Sequence, residues 1–357
     1  MDEDNLRISP NRYGEEINEE VGEYLDEIHR EVSRTFDAAL SKVSGDLSRE
    51  IQVGYLMCRI PDTIEDTQYL SGRQKHDLLN EYREVLEDPN ERKTAEFVRN
   101  ALESIDRDER NLENSPDYWG LIKNTHAVMS SFQTFDEKVQ NSMVDAVDEM
   151  SRGMADFCLD YDREELDGIR IEDMDEFQDY CHFVAGTVGE MLTDIFSYHE
   201  DMPDDLSNYS ESFGQFLQTI NILKDPLEDL ENESAIFIPE EVLPGKHEDV
   251  IEELRNGKPE TILEGMESLI EYADTQAQGA SKYIALTPQD SEIRSYLEVP
   301  YLLAKATARE AKDNPEKAAE GELSIDREEV GAILEMTGDN QLESIESEIA
   351  QRPLKSG

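Results

Sequence analysis

Apolar residues recur at three- and four-residue intervals along most of the chain, the period of an amphipathic helix, and no stretch alternates convincingly with the period of two that marks a strand. The pattern predicts helices over 21–44, 46–69, 73–86, 94–105, 119–160, 174–199, 209–230, 249–284 and 290–312. Turn-forming residues separate them at Asp88-Pro89-Asn90, Asn114-Ser115-Pro116, Met202-Pro203-Asp204, 242–245 and Thr287-Pro288. No shift in composition marks a domain boundary. The expectation is an all-α fold: a single helical domain over 16–345 around a central cavity, with polar tails at 1–15 and 346–357.

Two runs depart from this amphipathic background. Residues 51–58 and 212–223 carry no charge in a chain that is otherwise densely charged. Each run leads into a basic residue and an acidic cluster of one form: Arg59, then Asp62-Thr63-Ile64-Glu65-Asp66, and Lys224, then Asp225-Pro226-Leu227-Glu228-Asp229. On a helix the positions i, i+3 and i+4 share one face, so each copy presents three carboxylates in a patch about one turn long. Like charges so placed repel, more strongly when desolvated, and two such patches in a cavity require a compensating cation. Mg²⁺ suits them, because it takes hard oxygen ligands, keeps several waters and bridges carboxylates to phosphates. Acidic triplets also arise by chance where 85 of 357 residues are Asp or Glu, as at 109–113 and 162–165. The apolar runs set the two clusters apart from those, since they point toward a lined cavity rather than solvent.

The formal net charge is −52. Disordered acidic chains lack periodic apolar and aromatic positions, so the charge suggests a folded protein of a high-salt cell interior, where the Debye length falls to about 3 Å at 1 M. It argues against nucleic acid or an anionic membrane surface as the main partner. Cys58, Cys158 and Cys181 are odd in number and widely spaced, which excludes a disulfide framework or a zinc site and fits a reducing cytoplasm. The first residues lack the basic and apolar regions of a targeting signal, and no uncharged run approaches the roughly 18–20 residues of a membrane span.

A third stretch runs from Asp179 to Glu190 and contains Tyr180-Cys181-His182. Ala185, Gly186 and Gly189 form a small-residue face that lets another helix approach closely or leaves room for a bulky ligand, packing being the commoner cause of a mid-helix glycine. No second histidine stands at ligand spacing from His182, so it reads as a core histidine rather than a zinc ligand.

Four segments, Val32-Ser33-Arg34-Thr35-Phe36, Tyr55 to Asp66, Asp179 to Gly189 and Phe216 to Asp229, resemble in this order the motifs of the squalene synthase family, within the wider group of head-to-head isoprenyl diphosphate synthases that includes phytoene synthases. The resemblance covers residues 25–310, and the forms at 62–66 and 180–182 look closer to squalene synthases than to phytoene synthases. It implies an isoprenoid-synthase-like helical bundle around a deep apolar pocket, with the acidic clusters facing each other across its mouth. It implies further that Asp62, Glu65, Asp66, Asp225, Glu228 and Asp229 hold Mg²⁺, and that Ser33, Arg34, Phe36, Arg59, Gln218, Asn221 and Lys224 bind substrate. Tyr180, Tyr55 and Arg59 are the implied catalytic residues: Tyr180 in proton transfer and cation stabilisation, Tyr55 and Arg59 at a diphosphate. Taken without the motifs, the arginines read as surface ion pairs and Gln218 and Asn221 as helix-packing amides.

The implied activity is condensation of two farnesyl diphosphates through presqualene diphosphate to squalene, with Mg²⁺ and NADPH, or NADH, as cofactors and with peripheral membrane contact for release of the lipid. Without the reduction the same fold gives dehydrosqualene or phytoene. From a different class, a non-catalytic helical protein would use the acidic clusters to bind cations or partners. The chain departs from the family pattern at Pro61 and Pro226, beside the first Asp of each cluster, and at Lys224, where Arg is usual. It departs again at Gly321-Glu322-Leu323-Ser324-Ile325-Asp326-Arg327, where reducing members carry Lys and Arg for the NADPH phosphate.

Overall fold

A computed structural model describes residues 13, 17–105, 116–162, 168–255, 260–338 and 341–355, and gives only the backbone at 34, 35, 116, 117 and 260. Apart from Tyr13, the predicted 1–15 tail lies outside the described residues, as do positions 114 and 115 of one connector. The fold among them is all-α. It holds no strand, only an isolated parallel bridge between Arg170 and Ile236.

The periodic apolar stripes become buried faces. In the Glu137–Asp160 helix, Val139, Met143, Val147, Met150 and Met154 are all buried, and Asp136 caps its start by accepting from the Lys138 N–H. This helix packs against Gly72–Glu87, which opens with a reciprocal capping box between Ser71 and Gln74. The two uncharged runs lie in enclosed helices. Ile51–Met57 (all but Tyr55) and Cys58 are buried in Gly45–Asp66, and Phe213–Phe216, Thr219, Ile220, Ile222 and Leu223 are buried in Ser210–Lys224, which lies along Glu260–Leu286. Charge is absent from the enclosed faces because an ion there would lose its water.

Several predicted helices are interrupted. The 21–44 helix splits at Ser33, whose φ of −150° and ψ of 85° close Glu19–Val32 before Arg34–Leu40 begins. The 119–160 stretch divides into Pro116–Lys123, Thr125–Phe132 and Glu137–Asp160, with Asp136 capping the last. The 174–199 stretch runs through a π-helical turn at His182–Gly186, and the 209–230 stretch breaks at Asp225 before Pro226–Asn232. The 249–284 stretch includes His247–Arg255 and Glu260–Leu286, and positions 256–259 between them lie outside the described residues.

Proline 61, by contrast, stays inside an unbroken helix. A proline there removes the N–H that would bond the carbonyl of residue 57. The Tyr82 hydroxyl, itself fully buried, donates to that Met57 carbonyl at 3.0 Å instead. The small-residue face serves helix packing: a Cβ on Gly189 would lie 2.3 Å from the Ser210 carbonyl oxygen, and one on Gly214 would lie 2.1 Å from that of Ala185. Residues from 346 onward, read from sequence as a polar tail, include the last turn of Leu342–Ile349. Leu354 beyond it is buried, with its N–H bonded to Glu329, which also pairs with the buried Arg309.

Candidate active site

The last two turns of Gly45–Asp66 form one wall of a cavity of about 170 Å³. Arg59, Asp62, Glu65 and Asp66 line it, because spacings of three and four put them on one helix face. The Arg59 guanidinium lies between Asp62, at 3.1 Å, and Asp66, at 3.4 Å, with its carbon 4.4 Å from the centroid of the Tyr118 ring. Glu65 is the most enclosed of the three carboxylates, at 5% exposure. Its Oε2 accepts from the Tyr180 hydroxyl at 3.4 Å, and its Oε1 has no hydrogen-bond partner. Burial pushes the Asp62 carboxyl up to about 7 against the pull of Arg59. Burial, reinforced by Asp66, pushes Glu65 up to about 8.

Tyr180 stands between the walls. Its ring stacks on Phe237 at 4.7 Å and meets Phe157 edge-on at 5.3 Å, which fixes the hydroxyl toward Glu65. Burial, and then the Glu65 charge, raise its phenol well above the usual value, so it remains a proton donor.

The opposite wall differs from the symmetric picture drawn from sequence. The residue before a proline is disfavoured from helical geometry, and Asp225 duly leaves it, at φ −128° and ψ 38°, while Pro226 opens a new helix. Asp225 pairs with its neighbour Lys224, and Glu228 is exposed. From this motif only Asp229 lines the cavity, beside Gln218 and Asn221 from Ser210–Lys224. Glu233, outside both motifs, joins it. Burial first, then the neighbouring carboxylates, raise both Asp229 and Glu233 well above the ordinary range.

The remaining predicted residues form a separate group. Tyr55 donates to the Val32 carbonyl at 3.1 Å and packs against Phe36 and His29, and Ser33 is buried at the helix break. None of these lines the cavity, although Tyr55 is one turn before Arg59 on the same helix. The Arg34 side chain lies outside the described residues. Sequence reasoning missed Glu233 and Phe237; the signal for the former was its position four residues beyond Asp229.

The donor set fits a hard cation. Five carboxylates, Asp62, Glu65, Asp66, Asp229 and Glu233, line the cavity against the single guanidinium of Arg59, and Glu65 has a buried oxygen without a partner. No three acidic, His or Cys side chains among the described residues already converge to hold a metal ion. The 321–327 segment does not fit the phosphate of a nicotinamide cofactor. Leu323 is buried, and Asp326 uses its carboxylate to cap Arg327–Met336, which leaves exposed Arg327 as the segment's one cation.

An all-helical bundle with two acidic walls across a cavity is the arrangement of an isoprenoid-synthase-like fold. The squalene/phytoene synthase family model matches residues 29–329, and the chain belongs to that family. It is 28% identical over 289 residues to squalene synthase of Mus musculus, covering 80% of this chain and 62% of that one. It is 26% identical over 285 residues to inactive squalene synthase 2 of Arabidopsis thaliana, covering 78% and 62%. The chain thus spans about three fifths of the length of these relatives. A solved complex of TcSQS with the ligand E5700 shares the fold at a TM-score of 0.75 and 20% identity, over 93% of this chain and 90% of that one. Among the described residues no helix is long and apolar enough to cross a membrane.

Proposed function

We propose that the chain is a prenyltransferase that condenses two farnesyl diphosphates head to head through presqualene diphosphate. The observation that carries this reading is the pairing of the Asp62–Glu65–Asp66 wall with Asp229 across one cavity, with Tyr180 held against Glu65 between them. Asp62, Glu65, Asp66 and Asp229 are the residues that would hold Mg²⁺, which when bound supplies a Lewis acid that neutralises the leaving diphosphate. Arg59, which pairs with Asp62 and Asp66, would offer the diphosphate a planar, permanently charged donor set.

In the reaction, C1 of one farnesyl group loses diphosphate and is attacked by the C2–C3 double bond of the other, and loss of a proton closes the cyclopropane. The rings of Tyr180 and Phe237 offer faces to the allylic cation, worth about 0.5–2 kcal/mol each, while Met154, Val184 and Ile222 exclude water from it. On this reading Tyr180, whose hydroxyl donates to Glu65, takes part in removing the departing proton. A cavity of about 170 Å³ is below the roughly 300–1,000 Å³ of ordinary ligand sites, so this reading requires the walls to part for the prenyl chains.

The absence of a cationic cluster at 321–327 favours a second reading of the product, dehydrosqualene, and we assign no hydride step. One assay separates the readings. Purified protein in molar KCl is incubated with farnesyl diphosphate and Mg²⁺, with and without NADPH, and the lipid is identified. Squalene formed only with NADPH supports the reductive enzyme, and dehydrosqualene in both arms supports condensation alone. Untouched substrate would overturn the enzymatic reading and leave a non-catalytic cation-binding bundle.

The net charge of −52 supports a working environment of high salt. Dialysis into dilute buffer should lower helicity measured by circular dichroism and abolish turnover. Retention of both would remove this part of the reading.

A further inference from the structure

Glu233 belongs to neither acidic motif, yet it lines the same cavity as Asp62, Glu65, Asp66 and Asp229. It stands at i+4 from Asp229, just past the end of the Pro226–Asn232 helix. The turn that presents it is fixed on several sides. The N–H groups of Glu233 and Ala235 both donate to the Asp229 carbonyl, at 3.0 and 3.1 Å. Ser234 takes a left-handed φ of 56°, and its carbonyl accepts from Nη1 of the buried Arg170. A Cβ on Gly168 would lie 1.9 Å from that same carbonyl oxygen, so the neighbouring segment passes only because residue 168 is glycine. Ile236 is then tied on both sides, donating to the Ile169 carbonyl at 2.9 Å and accepting from the Ile171 N–H at 3.3 Å.

Lys75 acts on Glu65 and Glu233, and Lys224 on Asp229, only through space. Among the described residues neither Asp229 nor Glu233 has an ion-pair partner within 4.0 Å. Lys75, the one cation lining an adjoining cavity of about 30 Å³ that Glu65 and Glu233 also line, directs its ammonium to the Glu65 backbone carbonyl. Glu65 Oε1 is a buried acceptor without a partner, on a side chain that lines both cavities. An oxygen so enclosed and unmet is costly unless a ligand completes it.

We propose that Glu233 is a cation ligand, extending the second motif to D-x-x-E-D-x-x-x-E, and that Glu65, Asp229 and Glu233 together take a hard divalent cation. This rests on the cation-and-diphosphate reading of the cavity and adds to it a ligand that neither motif contains. The side chains do not already converge. They close on the ion by rotamer change, while the pinned turn holds the backbone of Asp229 and Glu233 in place.

The test is direct binding of Mn²⁺ to the full chain in molar KCl, without substrate, followed by the electron paramagnetic resonance signal of free Mn²⁺. Glu233→Gln should weaken binding by at least about tenfold, with Glu233→Asp recovering part of it and exposed Glu231→Gln unchanged. If Glu233→Gln binds like the parent while Asp62→Asn is impaired, Glu233 is not a ligand and the cavity reading stands. If the parent itself binds no Mn²⁺, both fail. Circular dichroism of each variant separates ligand loss from unfolding, and recovery by Glu233→Asp excludes a purely structural role.

Discussion

The two acidic clusters have the same spacing and each has a proline beside its first aspartate, yet they become different structures. At the first, Pro61 lies inside a continuous helix because Tyr82 satisfies the Met57 carbonyl that the proline leaves open, and all three carboxylates line the cavity. At the second, the helix ends at Asp225 and restarts at Pro226, and only Asp229 faces the cavity. Equal motif spacing yields equal faces only where the backbone is continuous. Where it breaks, the face is rebuilt from whatever the next helix supplies, here Glu233.

This asymmetry predicts unequal responses. Asp62→Asn and Asp229→Asn should each cut turnover of farnesyl diphosphate at least about 10²-fold, whereas Glu228→Gln should stay within about threefold. Equal losses at 228 and 229 in steady-state assays would mean that the second helix turns its whole motif inward.

The first wall depends on Tyr82. Tyr82→Phe orphans a buried carbonyl and should cost about 1–3 kcal/mol in denaturant unfolding. Combining it with Pro61→Ala returns an N–H to residue 61 and should recover part of that loss; a strictly additive double mutant would show that the hydroxyl does not replace the missing helix bond.

A pH experiment addresses the same wall. The folded Asp62 and Glu65 carboxyls hold protons up to about 7 and 8, above ordinary values of 3.8 and 4.5. A carboxyl whose folded value is raised costs nothing at low pH, and stability falls as pH climbs from the ordinary value through the folded one. The Tm without added metal should therefore fall between about pH 5 and 8, and Mg²⁺ should oppose the fall. Glu65→Gln should flatten the slope. A Tm that rises over this interval without added metal would contradict buried, unpaired carboxylates in this wall.

The smallest effect is expected at the second proline. Pro226→Ala removes a residue suited to the first helical position and should change stability by less than about 1 kcal/mol. A large loss would show that the break at Asp225 depends on the proline ring rather than on the packing around it.

Helix type was legible in the sequence because burial imposes a 3.6-residue period on residue choice, and so was the Arg59–Asp66 wall, whose residues lie within two turns of one helix. Helix number was not, since several of the nine predicted stretches are divided and the helices at Pro315–Ala319, Arg327–Met336 and Leu342–Ile349 were not predicted. Helix breaks at Ser33 and Asp225 were less legible, since the strong apolar periodicity continues across them. Residue type and local spacing determined an all-α chain with two acidic clusters next to enclosed helices. Only the tertiary structure decided which carboxylates share the cavity, that Tyr55, Phe36 and Ser33 stand apart from it, and that Tyr82 repairs the helix at Pro61. The physical reason is separation along the chain: Tyr82 meets Met57 from another helix, and Glu233 lines the same cavities as Glu65 although the two lie far apart in the sequence. No periodicity records contacts of that kind.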